Sequence, residues 1–180
     1  MKNLSLFCLA LGLAAGCGHE EAQTYQAPKE MVADPMAKSV PTRPPPGNEF
    51  EASLPDGWTE TPGSGMRMAS YTIEDSSVDF YLISLMMGDV PSNVNRWRGQ
   101  VGLPPISPEA IAQEVESFQI GGHDAKYIEI YNEESERGIV SAIVDLAPAY
   151  WYFTAKGPVD ELKANVSDIR KFLESVKVGR

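Results

Sequence analysis

The chain has 180 residues, two cysteines and a formal net charge of −10 at pH 7. Acidic and basic side chains balance in residues 1–48, so residues 49–180 carry all of the net negative charge. A domain of this charge is not expected to bind nucleic acid or an anionic membrane face, which leaves neutral and basic partners open.

Residues 1–16 have the pattern of a secretory signal peptide. Lys2 supplies a positive start, residues 4–15 form an almost unbroken apolar run, and small residues precede Cys17. The run is too short to be a comfortable membrane span. Cys8 lies within it and would be removed with the signal peptide.

The sequence LAAGC at residues 13–17 resembles a bacterial lipobox, the motif at which a cysteine is lipidated and becomes the mature N-terminus. It departs from that motif at Ala14, where lipoboxes prefer leucine, and an ordinary signal peptide with an incidental cysteine is the alternative. The resemblance implies several acyl chains on Cys17, which would anchor the protein stably. Gly18 is not the aspartate of an inner-membrane retention signal, so we expect an outer-membrane protein that faces the periplasm.

The lipidated cysteine and the residues that follow it, 17–48, are predicted to form a flexible tether. Prolines, including the run at 44–46, are spread among Glu, Gln, Ala and Lys, and large apolar residues are few. Such a segment cannot bury enough surface to offset its ordering entropy. Coil statistics give it a reach of about 30 Å, which would hold a domain away from a bilayer. Because Cys8 and Cys17 both precede the domain, we expect no disulfide, catalytic cysteine or thiolate metal site in it.

Residues 49–180 are predicted to form one domain. Its first strands follow from alternating apolar residues at Phe50–Leu54 and Arg67–Ile73, and the residues at 55–58 are typical of a turn. The sequence VDFYLISLMM at 78–87 is apolar on both faces, which indicates a central strand that is covered on both sides.

The sequence SNVNRWRGQVGLPP at residues 92–105 predicts an amphipathic helix. Val94, Trp97 and Val101 fall at spacings of three and four, so they share one face. We expect Trp97 to be a core residue on that face, and the glycines and prolines that follow it to end the helix.

The polar side of this helix is the candidate binding site. Asn93, Arg96 and Gln100 follow the same spacings along one flank. Arg96 and Arg98 are expected to splay towards solvent on either side of the tryptophan. Two interpretations stay open: the arginines form salt bridges with the acidic domain, or they bind an anionic group.

A further helix and three strands are predicted next. Ser107 and Pro108 are suited to open the helix, and its apolar stripe would be Ile111, Val115 and Phe118. The turn, the strands and the hairpin tip that follow are predicted, in chain order, at residues 120–124, 126–131, 132–137 (the tip), 139–146 and 150–155.

The closing helix is predicted to start at Gly157-Pro158. Acidic residues in its first turn and Lys171 and Lys177 late in the helix match the helix dipole. Its apolar stripe consists of Leu162, Val166, Ile169, Leu173 and Val176. The elements together predict an α+β domain, an antiparallel sheet of about six strands with helices packed on its faces.

Three segments resemble the PsbP-like fold: LPDGW at 54–58, YWYFTAKGP at 150–158, and the long closing helix. That αβα sandwich is shared by an extrinsic subunit of photosystem II and a Ran-binding nuclear transport factor, and the resemblance covers residues 49–178. It implies an accessory or assembly protein that binds other proteins without catalysis. The family has no universal catalytic set that could be carried over.

Catalytic signals in the domain are weak. Its one histidine, His123, lies in the turn-like sequence GGHD at 121–124, with no second ligand or base at a suitable spacing. Glu133, Glu134 and Glu136 could bind a cation or act as paired carboxylates, but a polar run between strands is typically a solvated hairpin tip. No phosphate-binding, dinucleotide or calcium-binding loop is present in the sequence. We therefore predict no catalytic residues, no metal and no cofactor.

The favoured function is a membrane-tethered, non-enzymatic binding or assembly module of the bacterial cell envelope, with an envelope protein or peptide as partner. Its binding residues would be Asn93, Arg96, Arg98 and Gln100. The alternative is a small-ligand-binding protein or a hydrolase with a site near Arg96, Arg98 and His123. A deep pocket that holds Arg96, Trp97 and His123 together would favour the alternative.

Replacing the proposed lipid attachment residue tests the anchor. Cys17→Ser should leave a soluble or unprocessed protein, because serine does not accept the acyl chains at a lipobox. Partitioning of the protein into a detergent phase measures the outcome. Cys8→Ser, which alters only the signal peptide, should still partition; a Cys17→Ser chain that behaves as an integral lipoprotein would contradict the assignment.

Overall fold

The computed structural model describes residues 50–86 and 88–179. The predicted signal peptide, the predicted lipidation at Cys17 and the predicted tether lie outside the described residues. Within the described ranges, no helix has the length and apolar character needed to cross a membrane.

The described residues form nine strands and three helices. The strands are β1 (Phe50–Glu51), β2 (Trp58–Pro62), β3 (Arg67–Ile73), β4 (Asp79–Leu85), β5 (Glu116–Ile120), β6 (His123–Asn132), β7 (Arg137–Leu146), β8 (Ala149–Pro158) and β9 (Lys177–Val178). The helices are α1 (Val90–Gln100), α2 (Pro108–Glu114) and α3 (Val159–Ser175).

Seven of these strands form one antiparallel sheet in the order β2-β3-β4-β8-β7-β6-β5. Strands β2–β4 and β5–β8 are two meanders, joined where β4 pairs with β8 from Asp79↔Lys156 to Leu85↔Tyr150. The short strands β1 and β9 pair with each other. The α+β prediction is confirmed, with a seven-stranded main sheet in place of the predicted six or so strands.

Strand β7 is buried on both faces, since every residue from Gly138 to Val144 is buried. Successive side chains of a strand point to opposite faces of its sheet. Val140 and Ala142 accordingly belong to one hydrophobic core, and Ile139 and Ile143 belong to a second. Two cores on opposite faces of one sheet require a covering layer on each side.

Helix α3 covers the first face. Its buried residues Leu162, Ile169 and Phe172 belong to the same core as the inward residues of the sheet. The ring of Phe172 stacks on that of Trp58, with centroids 5.8 Å apart. The predicted stripe of the closing helix therefore does face the sheet.

Glu161, in the first turn of α3, fastens the loop between β3 and β4. Its carboxylate accepts hydrogen bonds from the backbone N–H of Ser77 at 2.6 Å and from the hydroxyl of Ser76 at 2.8 Å. These hydrogen bonds hold the pKa of the Glu161 carboxyl below its ordinary value. The sheet loop and the helix N-terminus are thereby held together.

Helices α1 and α2 cover the second face. Val94 and Trp97 of α1 and Ile111 of α2 lie in one core with the second-face residues of β6, β7 and β8. Trp97 is 3% exposed and meets Tyr152 edge-on, with ring centroids 6.4 Å apart. The prediction that Trp97 is a core residue is confirmed.

The first strand of the domain is shorter than predicted. Phe50–Leu54 is not a strand of the main sheet, because β1 has two residues and pairs with β9. The turn predicted at residues 55–58 is confirmed, since the backbone N–H of Trp58 donates to the carbonyl of Pro55 at 3.2 Å and Gly57 is left-handed with a φ of 76°. Trp58 also begins β2. The residues after Trp58 are exposed on an edge strand, so they lack the apolar alternation that predicts a strand.

The helix predicted from Ser107 is shorter than expected. Helix α2 ends at Glu114, and Phe118 lies on β5, so Ile111, Val115 and Phe118 do not form one stripe. Phe118 is buried between exposed neighbours, as in a half-buried strand, and its helical spacing from the two earlier residues is coincidental.

The turn predicted at 120–124 is confined to Gly121-Gly122, whose φ values are 59° and 81°. His123 and Asp124 already belong to β6, where the backbone of each is paired with β5. The two glycines adopt left-handed conformations that other residues disfavour, so the strand can begin directly after them.

The bounds of the closing helix also differ from the prediction. Gly157 and Pro158 end strand β8, and α3 begins at Val159. Val176 caps the helix C-terminus, and Lys177 lies on β9. Lys177 therefore does not contribute to the helix dipole as predicted.

Truncation of the buried tryptophan tests the second core. Trp97→Ala should lower the free energy of unfolding by about 3–5 kcal/mol, because it empties an aromatic site in a packed core. Arg96→Ala, one residue away and exposed, should change it by less than about 1 kcal/mol. Denaturant melts of both variants measure the difference, and an unchanged Trp97→Ala protein would refute the packing described above.

Candidate functional site

Two clefts lie at the two ends of helix α1. The N-terminal cleft has a volume of about 580 Å³ and is lined by Leu85, Met86, Gly88, Asp89, Ser92, Asn93 and Arg96. The C-terminal cleft has a volume of about 600 Å³ and is lined by Ser77, Asp79, Gln100, Val101, residues 135–139 and residues 156–158.

The C-terminal cleft is positioned by the tip of the β6–β7 hairpin. The buried Asn132 donates its side-chain amide to the backbone carbonyl of Val101 at 2.8 Å, and the hydroxyl of Ser135 donates to the same carbonyl at 2.8 Å. Val101 is the C-cap of α1, whose last carbonyls lack partners within the helix. The hairpin therefore supplies hydrogen-bond donors to a carbonyl at the C-terminal end of α1, and it fixes Gln100 beside the strands.

Lys156 and Arg137 face the C-terminal cleft from neighbouring strands. In the strand register Lys156 is opposite Ile139, and Arg137 is opposite Pro158, so the two basic residues are diagonal neighbours. The ammonium group of Lys156 donates to the side-chain oxygen of Gln100 at 2.9 Å. Neither basic residue forms an ion pair with any described residue.

Tyr81 lies beneath two cations beside this cleft. The guanidinium carbon of Arg67 is 4.2 Å from the ring centroid, and the ammonium nitrogen of Lys156 is 5.7 Å from it. Arg67 also donates two hydrogen bonds to the carboxylate of Asp79, at 2.8 and 2.7 Å. These hydrogen bonds raise the pKa of the Arg67 guanidinium. The carboxylate of Asp79 is thus engaged by Arg67, and it forms no ion pair with Lys156, which is opposite it in the strand register.

Asn93 and Arg96 face the N-terminal cleft together. Arg96 donates to the side-chain oxygen of Asn93 at 2.8 Å. The Asn93 amide donates in turn to the backbone carbonyl of Asp89 at 2.9 Å and to the hydroxyl of Tyr152 at 3.2 Å. Burial raises the pKa of Tyr152. Met86 lies on the rim with 70% of its surface exposed, so this cleft combines one cation, Arg96, and one carboxylate, Asp89, with an apolar edge.

The structure divides the predicted binding residues among three places. Asn93 and Arg96 line the N-terminal cleft, and Gln100 lines the C-terminal cleft. Arg98 lines neither cleft. A single polar flank along α1 therefore reaches two separate surfaces.

Arg98 does not point to solvent as predicted. Its Nε donates to the backbone carbonyl of Pro104 at 2.9 Å, and its guanidinium lies 3.5 Å from the carboxylate of Glu114. With its side chain 13% exposed, Arg98 joins α1 to the loop that follows it and to α2. The loop turns back under the helix, which covers a side chain that would be exposed on an isolated helix.

His123 is exposed at the start of β6 and lines neither cleft. Trp97 is part of the second core. The clefts at α1 therefore do not combine Arg96, Trp97 and His123, the arrangement that would favour a small-ligand binder or a hydrolase.

Two acidic hairpin residues are placed differently. Glu133 is in an ion pair with Lys163 at 2.6 Å, and Glu136 lines the C-terminal cleft. In the part of the chain that the structure describes, no group of three or more His, Cys, Asp or Glu side chains is placed to hold a metal ion.

Lys156, Arg137 and Tyr81 are site residues that no sequence motif indicates. Lys156 ends the alternation Tyr152, Thr154, Lys156 along one face of β8, so the alternation of that strand alone places it beside the helix layer. Arg137 was assigned to the hairpin tip, and its approach to Lys156 depends on the register of β7 with β8.

No protein-family model matches the chain. No curated protein matches it either.

Several solved structures are similar to this chain in fold. LpqN, involved in cell envelope biogenesis of Mycobacterium tuberculosis, is 16% identical with a TM-score of 0.49, over 73% of this chain and 83% of that one. Cyanobacterial PsbP (CyanoP) from Synechocystis sp. PCC 6803 is 12% identical with a TM-score of 0.47, over 72% of this chain and 86% of that one.

A protein from Bacteroides thetaiotaomicron VPI-5482 is 11% identical with a TM-score of 0.46 over 73% of this chain, which spans only 46% of that protein. The cyanobacterial protein belongs to the PsbP-like family that the sequence resembles. Identities of 11 to 16% with TM-scores below 0.5 do not indicate what this chain binds.

Removing the hairpin amide tests how the C-terminal cleft is held. Asn132→Ala should lower the free energy of unfolding by about 1–3 kcal/mol, because it leaves buried backbone groups with fewer partners. Ser135→Ala keeps the Asn132 bond to the Val101 carbonyl and should cost less. Denaturant melts measure both variants, and equal losses would show that the hairpin amide has no special part in fixing the helix end.

Proposed function

We propose that this protein is a lipid-anchored, non-enzymatic binding or assembly module of the bacterial cell envelope, held at the outer membrane by acyl chains on Cys17. Its partner is an envelope protein or peptide. The tether of residues 17–48 places the domain of residues 49–180 away from the bilayer, where it can reach that partner.

The observation that carries this proposal is the composition of the two clefts at α1. Their polar side chains include basic and amide groups beside carboxylates and hydroxyls, and some of them are held by hydrogen bonds, as in the series Arg96, Asn93 and Tyr152. Groups held in this way recognise a ligand by charge and hydrogen bonding. The histidine of the domain, its best general base at neutral pH, is placed elsewhere.

The apolar rim of the N-terminal cleft supports a protein partner. Methionines on exposed surfaces suit adaptable contacts with other proteins. Met86 is 70% exposed beside Arg96, and arginine is enriched in protein interfaces. An aliphatic rim with one adjacent cation is thus a suitable contact surface for a protein or peptide.

Recovery of the partner from intact membranes tests this function. The full chain, with its tether and anchor and an affinity tag at the C-terminus, should retain a discrete envelope protein after mild detergent extraction. Arg96→Ala should reduce that protein at least severalfold, because it removes the cation of the N-terminal cleft. Lys126→Gln, which removes an exposed cation away from both clefts, serves as the matched control.

The comparison of yields decides the proposal. Equal recovery by wild type and Arg96→Ala would exclude the N-terminal cleft as the contact surface. Failure of the wild-type chain to retain any envelope protein, under conditions in which it stays anchored, would contradict the binding function.

A further inference from the structure

The C-terminal cleft holds two cations that are left without acidic partners in a strongly acidic domain. Like charges at neighbouring positions of a sheet are unfavourable, and acidic side chains are abundant here. Arg67, at the edge of the same cleft, is nevertheless paired with Asp79 through two hydrogen bonds, while Lys156 and Arg137 are not paired. This arrangement is what a site for an exogenous anion requires.

From these contacts we infer that the C-terminal cleft binds a carboxylate group of a ligand, between the guanidinium of Arg137 and the ammonium of Lys156. This inference rests on the proposed binding function and names the chemistry of one of its two clefts. Arg137 offers a planar fork of N–H donors that matches a carboxylate. Lys156 uses one donor on Gln100, and its remaining two are available to the ligand.

The position of Lys156 is supported by neighbouring groups. Gln100 and the ring of Tyr81 hold the ammonium group of Lys156 at the cleft. The hydrogen bonds from the β6–β7 hairpin to Val101 hold the end of α1 that carries Gln100. A ligand carboxylate would therefore meet a lysine whose side-chain position is already restricted, which lowers the entropic cost of binding.

The charge of the cleft favours a single carboxylate over a polyanion. Its lining cations are Lys156 and Arg137, and its lining carboxylates are Asp79 and Glu136. Arg67, beside the cleft, is paired with Asp79, so the remaining charges leave one positive charge in excess. The formal charge of −10 on the chain would repel a ligand with many negative charges. A carboxylate with one charge matches this excess better than a phosphate dianion.

Carboxylates of a peptide C-terminus, of an acidic side chain and of a small organic acid share this chemistry, and four probes distinguish them. The first is N-acetyl-trialanine with a free C-terminus, and its C-terminal amide is the matched neutral control. The second is N-acetyl-Ala-Glu-Ala amide, whose only carboxylate is a side chain. Acetate and inorganic phosphate complete the set.

Titration calorimetry on the full chain in detergent measures the binding. At least one carboxylate probe should bind, the neutral amide should not, and phosphate should bind more weakly. Arg137→Gln and Lys156→Gln should each weaken binding by about tenfold, as expected for loss of one charge-assisted hydrogen bond. Lys126→Gln removes the same charge outside the cleft and should bind as wild type does, and thermal melts confirm that each variant is folded.

Three results would overturn the inference: no carboxylate probe binds, phosphate binds more tightly than every carboxylate, or both cleft variants bind as wild type does. The outcome is separable from the proposed function. A chain that retains its envelope partner but binds no carboxylate refutes only this inference. A chain that binds acetate but retains no partner supports the carboxylate site and refutes the protein-binding function.

Discussion

The fold depends on the need to cover both faces of strand β7. Every residue from Gly138 to Val144 is buried, and successive side chains belong to opposite cores. One layer of helix could satisfy only half of these side chains, so the chain places α3 on one face and α1 with α2 on the other. Strand β8 is long for the same reason, since its side chains also alternate between the two cores.

The two clefts follow from the size of the second layer. Helix α1 lies along β8, because Asn93 near its start contacts Tyr152 and Gln100 at its end contacts Lys156. The helix has 11 residues and is about 16 Å long, whereas the ten residues of β8 span about 33 Å. The helix therefore covers the middle of the face and leaves strand ends open beyond each of its termini. Strand residues that would be core under a longer helix, such as Tyr81 and Lys156, instead border open space at these ends. The hairpin contacts to Val101 keep α1 in this position.

The sequence predicts the elements whose periodicity is long or uninterrupted. The stripe of α3 and the apolar run of β4 are of this kind, and so is the face of α1 that contains Trp97. It does not predict β2, because an edge strand exposed after Trp58 has no alternation to detect. The sequence also predicts one helix where the structure has α2 followed by β5. The reason is that residues 111, 115 and 118 fall at helical spacings although the chain changes direction between them. For the site, sequence spacing identifies Gln100 but not Lys156 or Arg137, which reach it only through strand pairing.

Arg96 and Arg98, the two arginines beside Trp97, differ in their surroundings. Arg98 is largely buried and paired with Glu114, so it holds two helices together. Arg96 is exposed at the N-terminal cleft, fixed only by Asn93. The domain has far more carboxylates than it needs to neutralise its bases, and five ion pairs form among the described residues. Five described bases form no ion pair with another described residue. Lys126 and Lys177 line neither cleft, whereas Arg96, Arg137 and Lys156 lie at the two open ends of α1.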